Sequence, residues 1–330
     1  MAVTMAEITK LRKISGAGMM DCKNALTEAE GDIDKAMEII RKKGQAVAAK
    51  RSDREAAEGC VLAKKDGGFA ATIALKCETD FVAKNADFVA LTQAILDAAV
   101  ANKCKTLDEV KALPLGNGTV QDAVTDRSGI TGEKMELDGY NVVEGAYTAI
   151  YNHQGKNALC TLAAFNKEAD EKVAHEIVMQ IAAMSPIAID EQDVPEAVKE
   201  QEIQVAIDKT KAEQVQKAVE AALKKAGFNL YIAENEEHLN EGIMKGSITE
   251  AQAEEIRQLK AKGAEEKAAN LPEAMIQNIA KGRLAKFFKE VCLLKREDIM
   301  DPKKTVADVL KESDAELKIT AFKRFTLRAE

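Results

Sequence analysis

The stretch CVLAKKDGGFAATIALKC, residues 60–77, contains two apolar runs separated by a tight turn. The turn is Asp66-Gly67-Gly68, and an Asp-Gly step between apolar runs is a strong signal for a β-hairpin. A helix from about Asp87 follows, with apolar residues at helical spacing. The same order returns about 90 residues later, where AYTAIYNHQGKNALCTLAAF, residues 146–165, precedes a helix over 168–184. The repeat predicts an α+β fold with two related subdomains.

The N-terminal part of the chain is predicted to be a small helical module. Residues 5–44 contain three short helical patterns separated by glycine-containing breaks. Ile14 is expected on the apolar face of the first helix, Asp21 is expected to cap the second, and Gly44 is expected to end the third. Because about forty residues bury little surface, this is a minimal three-helix module.

Two further segments are unusually rich in charge. Residues 41–54 carry six Lys and Arg side chains against one acid, Asp53, which is typical of a solvated, partly helical linker. A weak contact with nucleic acid is the alternative interpretation. Residues 196–270 are rich in Lys, Glu, Gln and Ala and have a narrow apolar stripe at helical spacing. This pattern predicts a helical hairpin or a short coiled coil.

Composition excludes several classes of protein. With 47 basic and 55 acidic residues, the chain has a net charge of −8, so nucleic acid is not an expected direct partner. No apolar run of about 18 residues is present and the N-terminus lacks a signal-peptide pattern, so we expect a cytoplasmic protein without a membrane span. The six cysteines lack Cys-x-x-Cys spacing and lie far from the three histidines, so no metal or cofactor is predicted.

The motifs of common enzymes are also missing. Gly155-Lys156 is followed by Asn157 and has no upstream glycine at the spacing of a phosphate-binding loop. No His-Glu-x-x-His or Gly-x-Ser-x-Gly motif occurs. Because the carboxylates are diffuse and no set of reactive groups stands out, the sequence predicts a protein that acts by binding a partner rather than an enzyme.

Three stretches resemble one known family. They are GAGMMDCKNAL at residues 16–26, CETDFVAKN at residues 77–85 and MDPKKTV at residues 300–306. In this order they closely resemble signature segments of the elongation factor Ts family, the bacterial guanine-nucleotide exchange factors for elongation factor Tu. The resemblance covers about residues 1–190 and 271–330.

The resemblance implies a domain layout similar to the one read from the residues. Residues 196–270 look longer than the family's usual hairpin. The implied parts are a ubiquitin-associated-like helical module with its linker (1–54), core subdomain N (55–141), core subdomain C (142–195 and 271–330) and an inserted coiled-coil hairpin (196–270).

The resemblance also implies which residues meet elongation factor Tu. Thr79, Asp80, Phe81 and Val82 would form a wedge that dislodges the partner's magnesium ion and loosens GDP. Phe81 would supply apolar bulk, and Asp80 would intercept polar contacts near the metal. From periodicity alone the alternative is that Phe81 and Val82 are core residues and that Thr79 is only a helix N-cap.

Two secondary contacts with the partner are implied as well. Met19 and Met20, expected in a loop between helices, would be adaptable apolar contacts, and the alternative is a buried loop anchor. His153, expected at the tip of the second hairpin, would touch other domains of the partner. The alternative for His153 is an ordinary solvated turn residue.

Two classes of function therefore remain open. The first is an exchange factor that accelerates release of GDP from elongation factor Tu without any covalent change. The second is a scaffold or chaperone-like interaction protein that uses the helical module and coiled coil without exchange activity. An enzyme would require titratable groups that converge from distant parts of the sequence.

Overall fold

The computed structural model describes residues 3–327, which form fourteen α-helices and eight β-strands. The helices are α1 (Met5–Ser15), α2 (Met19–Glu28), α3 (Ile33–Lys50), α4 (Asp80–Ala83), α5 (Ala86–Ala101), α6 (Leu107–Ala112), α7 (Val120–Thr131), α8 (Glu171–Met184), α9 (Glu196–Lys225), α10 (Leu230–Ala233), α11 (Glu236–Met244), α12 (Glu250–Ala269), α13 (Glu273–Val291) and α14 (Val306–Ser313). The strands are β1 (Glu58–Asp66), β2 (Phe69–Cys77), β3 (Pro114–Leu115), β4 (Gly118–Thr119), β5 (Glu136–Glu144), β6 (Tyr147–Asn152), β7 (Leu159–Phe165) and β8 (Ile319–Thr326).

The chain divides into two compact units. The first comprises Met1–Ile189 and Glu297–Glu330, and the second comprises Asp190–Arg296. The antiparallel sheets of the first unit and the helices of both confirm the predicted α+β class. The finer division at residues 54, 141, 195 and 270 stays a prediction. α13 groups with the second unit, whereas the family resemblance implies that 271–330 belongs to core subdomain C.

The predicted hairpin forms the centre of the first sheet. β1 and β2 pair antiparallel with Asp66 opposite Phe69, which leaves Gly67 and Gly68 as a two-residue turn. Gly67 has a φ of 55°, a left-handed conformation that glycine adopts without strain. β5 pairs with the other side of β2, so the strand order is β1-β2-β5. β2 is therefore hydrogen-bonded along both edges.

Both faces of β2 are buried as well. Side chains alternate across a strand, so the residues of β2 divide into two sets. The larger set packs against α5 in the main core, and its members include Phe69, Ile73 and Leu75. The other set includes the small residues Ala70 and Ala74, which pack against Leu162, Ala164 and Cys160 of β7. The repeated hairpin thus contributes a second sheet, of order β6-β7-β8, that lies against the first.

The N-terminal module differs from its prediction in three details. Ile14 is exposed rather than buried, since it lies in the last turn of α1 beyond the small core of the module. Gly18, not Asp21, is the N-cap of α2, which begins at Met19. α3 continues past Gly44 to Lys50 because Gly44 is a packing position rather than a helix terminator.

Gly44 allows α3 to lie directly on α7. A Cβ atom added to Gly129 of α7 would stand 2.1 Å from the Cα atom of Gly44, so only glycine fits at this contact. Beside it, Arg41 and Asp122 form an ion pair at 2.8 Å. Residues 41–50 therefore belong to a helix that contacts α7 through Gly44, while most of their side chains stay exposed to solvent as predicted.

The second unit consists mainly of the helices α9 to α13. The long helix α9 packs against α12 and α13, and an ion pair at 2.8 Å between Glu213 and Arg283 joins α9 to α13. α10 and α11 lie between α9 and α12 in the chain and add Leu239 to a small core with Leu223 and Ile256. The insertion is thus more than a two-helix hairpin, because two short helices enlarge its core.

Two further predictions concern the cysteines and the absence of membrane spans. All six cysteines are buried and form no disulfide. Burial raises the pKa of Cys60 to about 11 and that of Cys160 to about 12, so both are neutral thiols at pH 7. No helix within residues 3–327 is long and apolar enough to cross a membrane.

Gly129→Ala tests the contact between α3 and α7. The added methyl group would overlap the backbone at Gly44, so we expect the variant to lose about 1–3 kcal/mol of unfolding free energy. Urea unfolding followed by circular dichroism measures the loss. Gly282→Ala in α13 is the matched control, because its Cβ atom would meet nothing within 4 Å. The control should be as stable as the natural protein or more stable, by up to about 1 kcal/mol. Equal stability of the two variants would contradict the tight contact.

Candidate functional site

Residues 79–82, which we call the prong, project from the end of the central strand. β2 ends at Cys77, and a single short helix, α4, carries Asp80, Phe81 and Val82 before α5 begins. The side chain of Phe81 is 84% exposed, the largest exposed fraction of any aromatic side chain among the exposed hydrophobic residues of the described chain. Because the buried strand before it and the buried helix after it are both fixed, the prong is a short projection with two anchored ends.

Each alternative from the sequence accounts for part of this geometry. Phe81 is not a core residue, whereas Val82 packs partly against the main core. Thr79 is indeed the N-cap of α4, since its hydroxyl accepts a hydrogen bond from the backbone N–H of Val82. The prong is thus anchored by Val82 and Thr79 and exposes Phe81 at its tip.

Asp80 carries the negative charge of the prong. Its Oδ2 atom accepts a hydrogen bond at 2.6 Å from Nζ of Lys84, one helical turn later. This hydrogen bond and the positive charge of Lys84 hold the pKa of Asp80 below its ordinary value. The carboxylate is therefore ionised at neutral pH, in an exposed pair that water screens.

The base of the prong is held by a carboxylate from a distant part of the chain. Oε2 of Glu133 accepts hydrogen bonds at 3.1 Å from the backbone N–H groups of both Glu78 and Thr79. Its Oε1 accepts a third, at 2.6 Å, from the hydroxyl of Thr79. Glu133 is the second residue after the end of α7, so the end of that helix and the base of the prong are joined.

Glu78 makes the reciprocal contact. Its carboxylate accepts a hydrogen bond at 2.6 Å from the backbone N–H of Lys134. Nη1 of Arg51 lies 3.0 Å from Oε1, and Nη1 of Arg54 lies 3.3 Å from Oε2. The Lys134 N–H and then the two guanidinium groups lower the pKa of Glu78. We call Glu78 and Glu133 the clamp, because each carboxylate holds the backbone beside the other.

The residues shortly after the prong are tied to α7 as well. Asn85 caps α5 by accepting hydrogen bonds from the N–H groups of Asp87 and Phe88. Nη2 of Arg127 donates to the same Asn85 oxygen at 3.0 Å and pairs with Asp87 at 3.1 Å. α7 and the residues after it thus contact both sides of the prong.

The predicted secondary contacts are exposed, but they belong to other elements. Met19 and Met20 are 44% and 64% exposed and form the start of α2 rather than a loop, so they are not a buried anchor. His153 lies at the exposed tip of the β6–β7 hairpin, where its Nδ1 atom is 3.1 Å from the hydroxyl of Tyr151. The two methionines, His153 and the prong therefore belong to three different elements, and each is exposed.

The residues that hold the prong were not predicted from the sequence. The pair of Asp80 and Lys84 had a readable signal, their spacing of four residues on a helix. Glu133 had none, since it contacts a backbone 54 residues away. Within residues 3–327 no group of three His, Cys, Asp or Glu side chains could hold a metal ion.

Comparisons with known proteins point to one family. The family model described as Elongation factor TS matches residues 78–329. Over the full length of both chains, the protein named Elongation factor Ts from Phocaeicola vulgatus is 79% identical and that from Parabacteroides distasonis is 76% identical. The protein of the same name from Porphyromonas gingivalis is 46% identical over 331 aligned positions.

Replacing Phe81 tests whether the prong is independent of the core. Because its ring is exposed, Phe81→Ala should change the free energy of unfolding by no more than about 0.5 kcal/mol. Phe88→Ala, seven positions later and fully buried, should cost about 3–5 kcal/mol. Chemical unfolding of both variants measures the difference. A large loss of stability in Phe81→Ala would mean that the ring packs inside the protein.

Proposed function

Because the chain belongs to the elongation factor Ts family of translation elongation factors, we propose that it promotes exchange of GDP for GTP on elongation factor Tu. The observation that carries the proposal is the exposed Phe81 on a prong whose two ends are held. A group that displaces elements of another protein must reach out of its own surface and must resist being pushed back. The prong meets both requirements.

The proposed mechanism uses the sensitivity of magnesium to geometry. A GTPase holds its nucleotide through a phosphate-binding loop and a magnesium ion. Since magnesium requires nearly ideal octahedral coordination, a small displacement of its ligands weakens the binding of the ion. Phe81 inserts into a groove of the GTPase beside these ligands, and burial of its ring supplies about 1.5–3 kcal/mol. The nucleotide then loses part of its support and dissociates faster.

Asp80 adds an electrostatic component. Its ionised carboxylate is held by Lys84 in an exposed pair, so it can exchange that partner for polar groups of the GTPase at little cost. Polar groups that previously contacted the magnesium site are thereby drawn away. Thr79 and Val82 act within the chain, because the first caps the prong and the second fixes it to the core.

The other exposed features are proposed as docking contacts. Met19 and Met20 offer flexible apolar side chains that adapt to a partner surface. His153 offers a ring oriented by Tyr151 at the tip of a hairpin. Contacts of this kind hold the complex together, while the prong changes the affinity for the nucleotide.

Release of fluorescent GDP from elongation factor Tu tests the prong. The natural chain should accelerate release, and Phe81→Ala should reduce the acceleration by about ten- to a hundred-fold, which corresponds to the lost burial of one ring. Asp80→Ala should also reduce it. Met244→Ala is the control, because it removes another highly exposed apolar side chain, in the second unit.

The same assay separates the two classes of function. A scaffold would bind elongation factor Tu without changing the rate of GDP release. If Phe81→Ala and Asp80→Ala both accelerate GDP release as much as the natural chain does, the prong is not the wedge, even though the natural chain is active.

Exchange must also be reciprocal in its thermodynamics. If the chain weakens nucleotide binding, nucleotide weakens binding of the chain by the same factor. We expect a tight complex with nucleotide-free elongation factor Tu that dissociates on addition of excess GDP. Size-exclusion chromatography with and without GDP is the measurement. A complex that is equally stable in both conditions would argue against exchange activity.

A further inference from the structure

The prong cannot fix its own orientation. α4 has four residues, and its backbone contributes two helical hydrogen bonds, from Ala83 to Thr79 and from Lys84 to Asp80. Helices this short are unstable in isolation, since nucleation costs more than a few hydrogen bonds return. Some contact outside the helix must therefore hold it in the direction that exposes Phe81.

Glu133 supplies that contact from the side of the prong that leads out of β2. Its carboxylate accepts the two N–H groups that precede α4, and hydrogen bonds to an ionised acceptor are the stronger kind. It also accepts the hydroxyl proton of Thr79, which leaves the oxygen of that hydroxyl facing the N–H of Val82. One carboxylate thus fixes both the backbone and the capping side chain.

Glu133 is itself held in place. Its backbone carbonyl accepts a hydrogen bond at 2.5 Å from the hydroxyl of the buried Ser128, and its N–H donates to the hydroxyl of Thr131. The backbone N–H of Lys134, the next residue, donates to Glu78. The acceptor is therefore part of a rigid turn at the end of α7 rather than a mobile surface side chain.

We propose that Glu133 is a positioning residue for nucleotide exchange, which acts by orienting the prong and not by touching the nucleotide or its metal. This inference rests on the exchange function proposed above. Without Glu133 the partner still docks on the remaining contacts, but the prong samples directions in which Phe81 does not enter the groove. Loss of Glu133 therefore lowers the maximal rate of exchange more than the affinity for the partner.

Glu133→Ala and Glu133→Gln form the central pair of variants. The carboxamide of Gln keeps an acceptor for the two N–H groups and offers a donor to the oxygen of Thr79, so it retains the geometry. GDP release is measured over a range of factor concentrations to separate the maximal rate from the half-saturating concentration. For Glu133→Ala we expect a maximal rate lower by about ten-fold and a half-saturating concentration within about two-fold of the natural value. Glu133→Gln should recover most of the rate.

A double variant shows whether Glu133 acts through the prong. Residues that work as a unit have non-additive effects, so Glu133→Ala combined with Phe81→Ala should be no slower than Phe81→Ala alone. Multiplication of the two effects would overturn the proposal. Glu144→Ala removes a different carboxylate of the first unit, the ion-pair partner of Lys105, and should leave the rate unchanged.

A measurement on the free protein keeps the test independent of the partner. Amide hydrogen exchange over residues 78–84 should accelerate in Glu133→Ala while α5 stays protected. Thr79→Val, which removes the shared hydroxyl but keeps the shape of the side chain, should act in the same direction if Glu133→Ala folds poorly. Unchanged protection in an active protein overturns the positioning role alone. Failure of the natural chain to accelerate GDP release overturns the exchange function and, with it, this inference.

Discussion

The core of the first unit depends on the contact between its two three-stranded sheets, β1-β2-β5 and β6-β7-β8. β2 is hydrogen-bonded on both edges and packed on both faces, with large side chains towards α5 and alanines towards β7. The alanines matter because their small size lets a second sheet approach. The end of β2 is consequently paired with neighbouring strands and buried at Cys77, and the prong begins two residues beyond it.

α7 connects that constrained point to the N-terminal module. One part of the helix receives α3 at the glycine contact, and the turn after it carries Glu133 to the base of the prong. Arg51 and Arg54, which follow α3, reach the other carboxylate of the clamp. Three arginines of the basic segment 41–54, Arg41, Arg51 and Arg54, are therefore engaged in ion pairs within the protein.

The parts of the fold that depend on local sequence patterns could be predicted from the sequence. The parts that depend on contacts between distant residues could not. The Asp-Gly step at Asp66 predicts the hairpin. The narrow apolar stripe at helical spacing predicts the helices of the insertion. The role of Gly44 is not predictable from the sequence, because a glycine that ends a helix and a glycine that lets another helix approach look identical there. The family signature at residues 77–85 identified the prong. Its hydrogen bonds to Glu133 join residues 54 positions apart, and such a contact produces no periodic pattern in the sequence.

The clamp also affects how fast the prong can engage a partner. A flexible loop loses conformational entropy when a partner orders it, whereas a segment already held by several hydrogen bonds loses little. The prong is in this sense preorganised, so collision with a partner need not wait for a rare conformer. Differences in affinity among variants of this surface should then arise chiefly from the dissociation rate, as is usual for mutants of one interface.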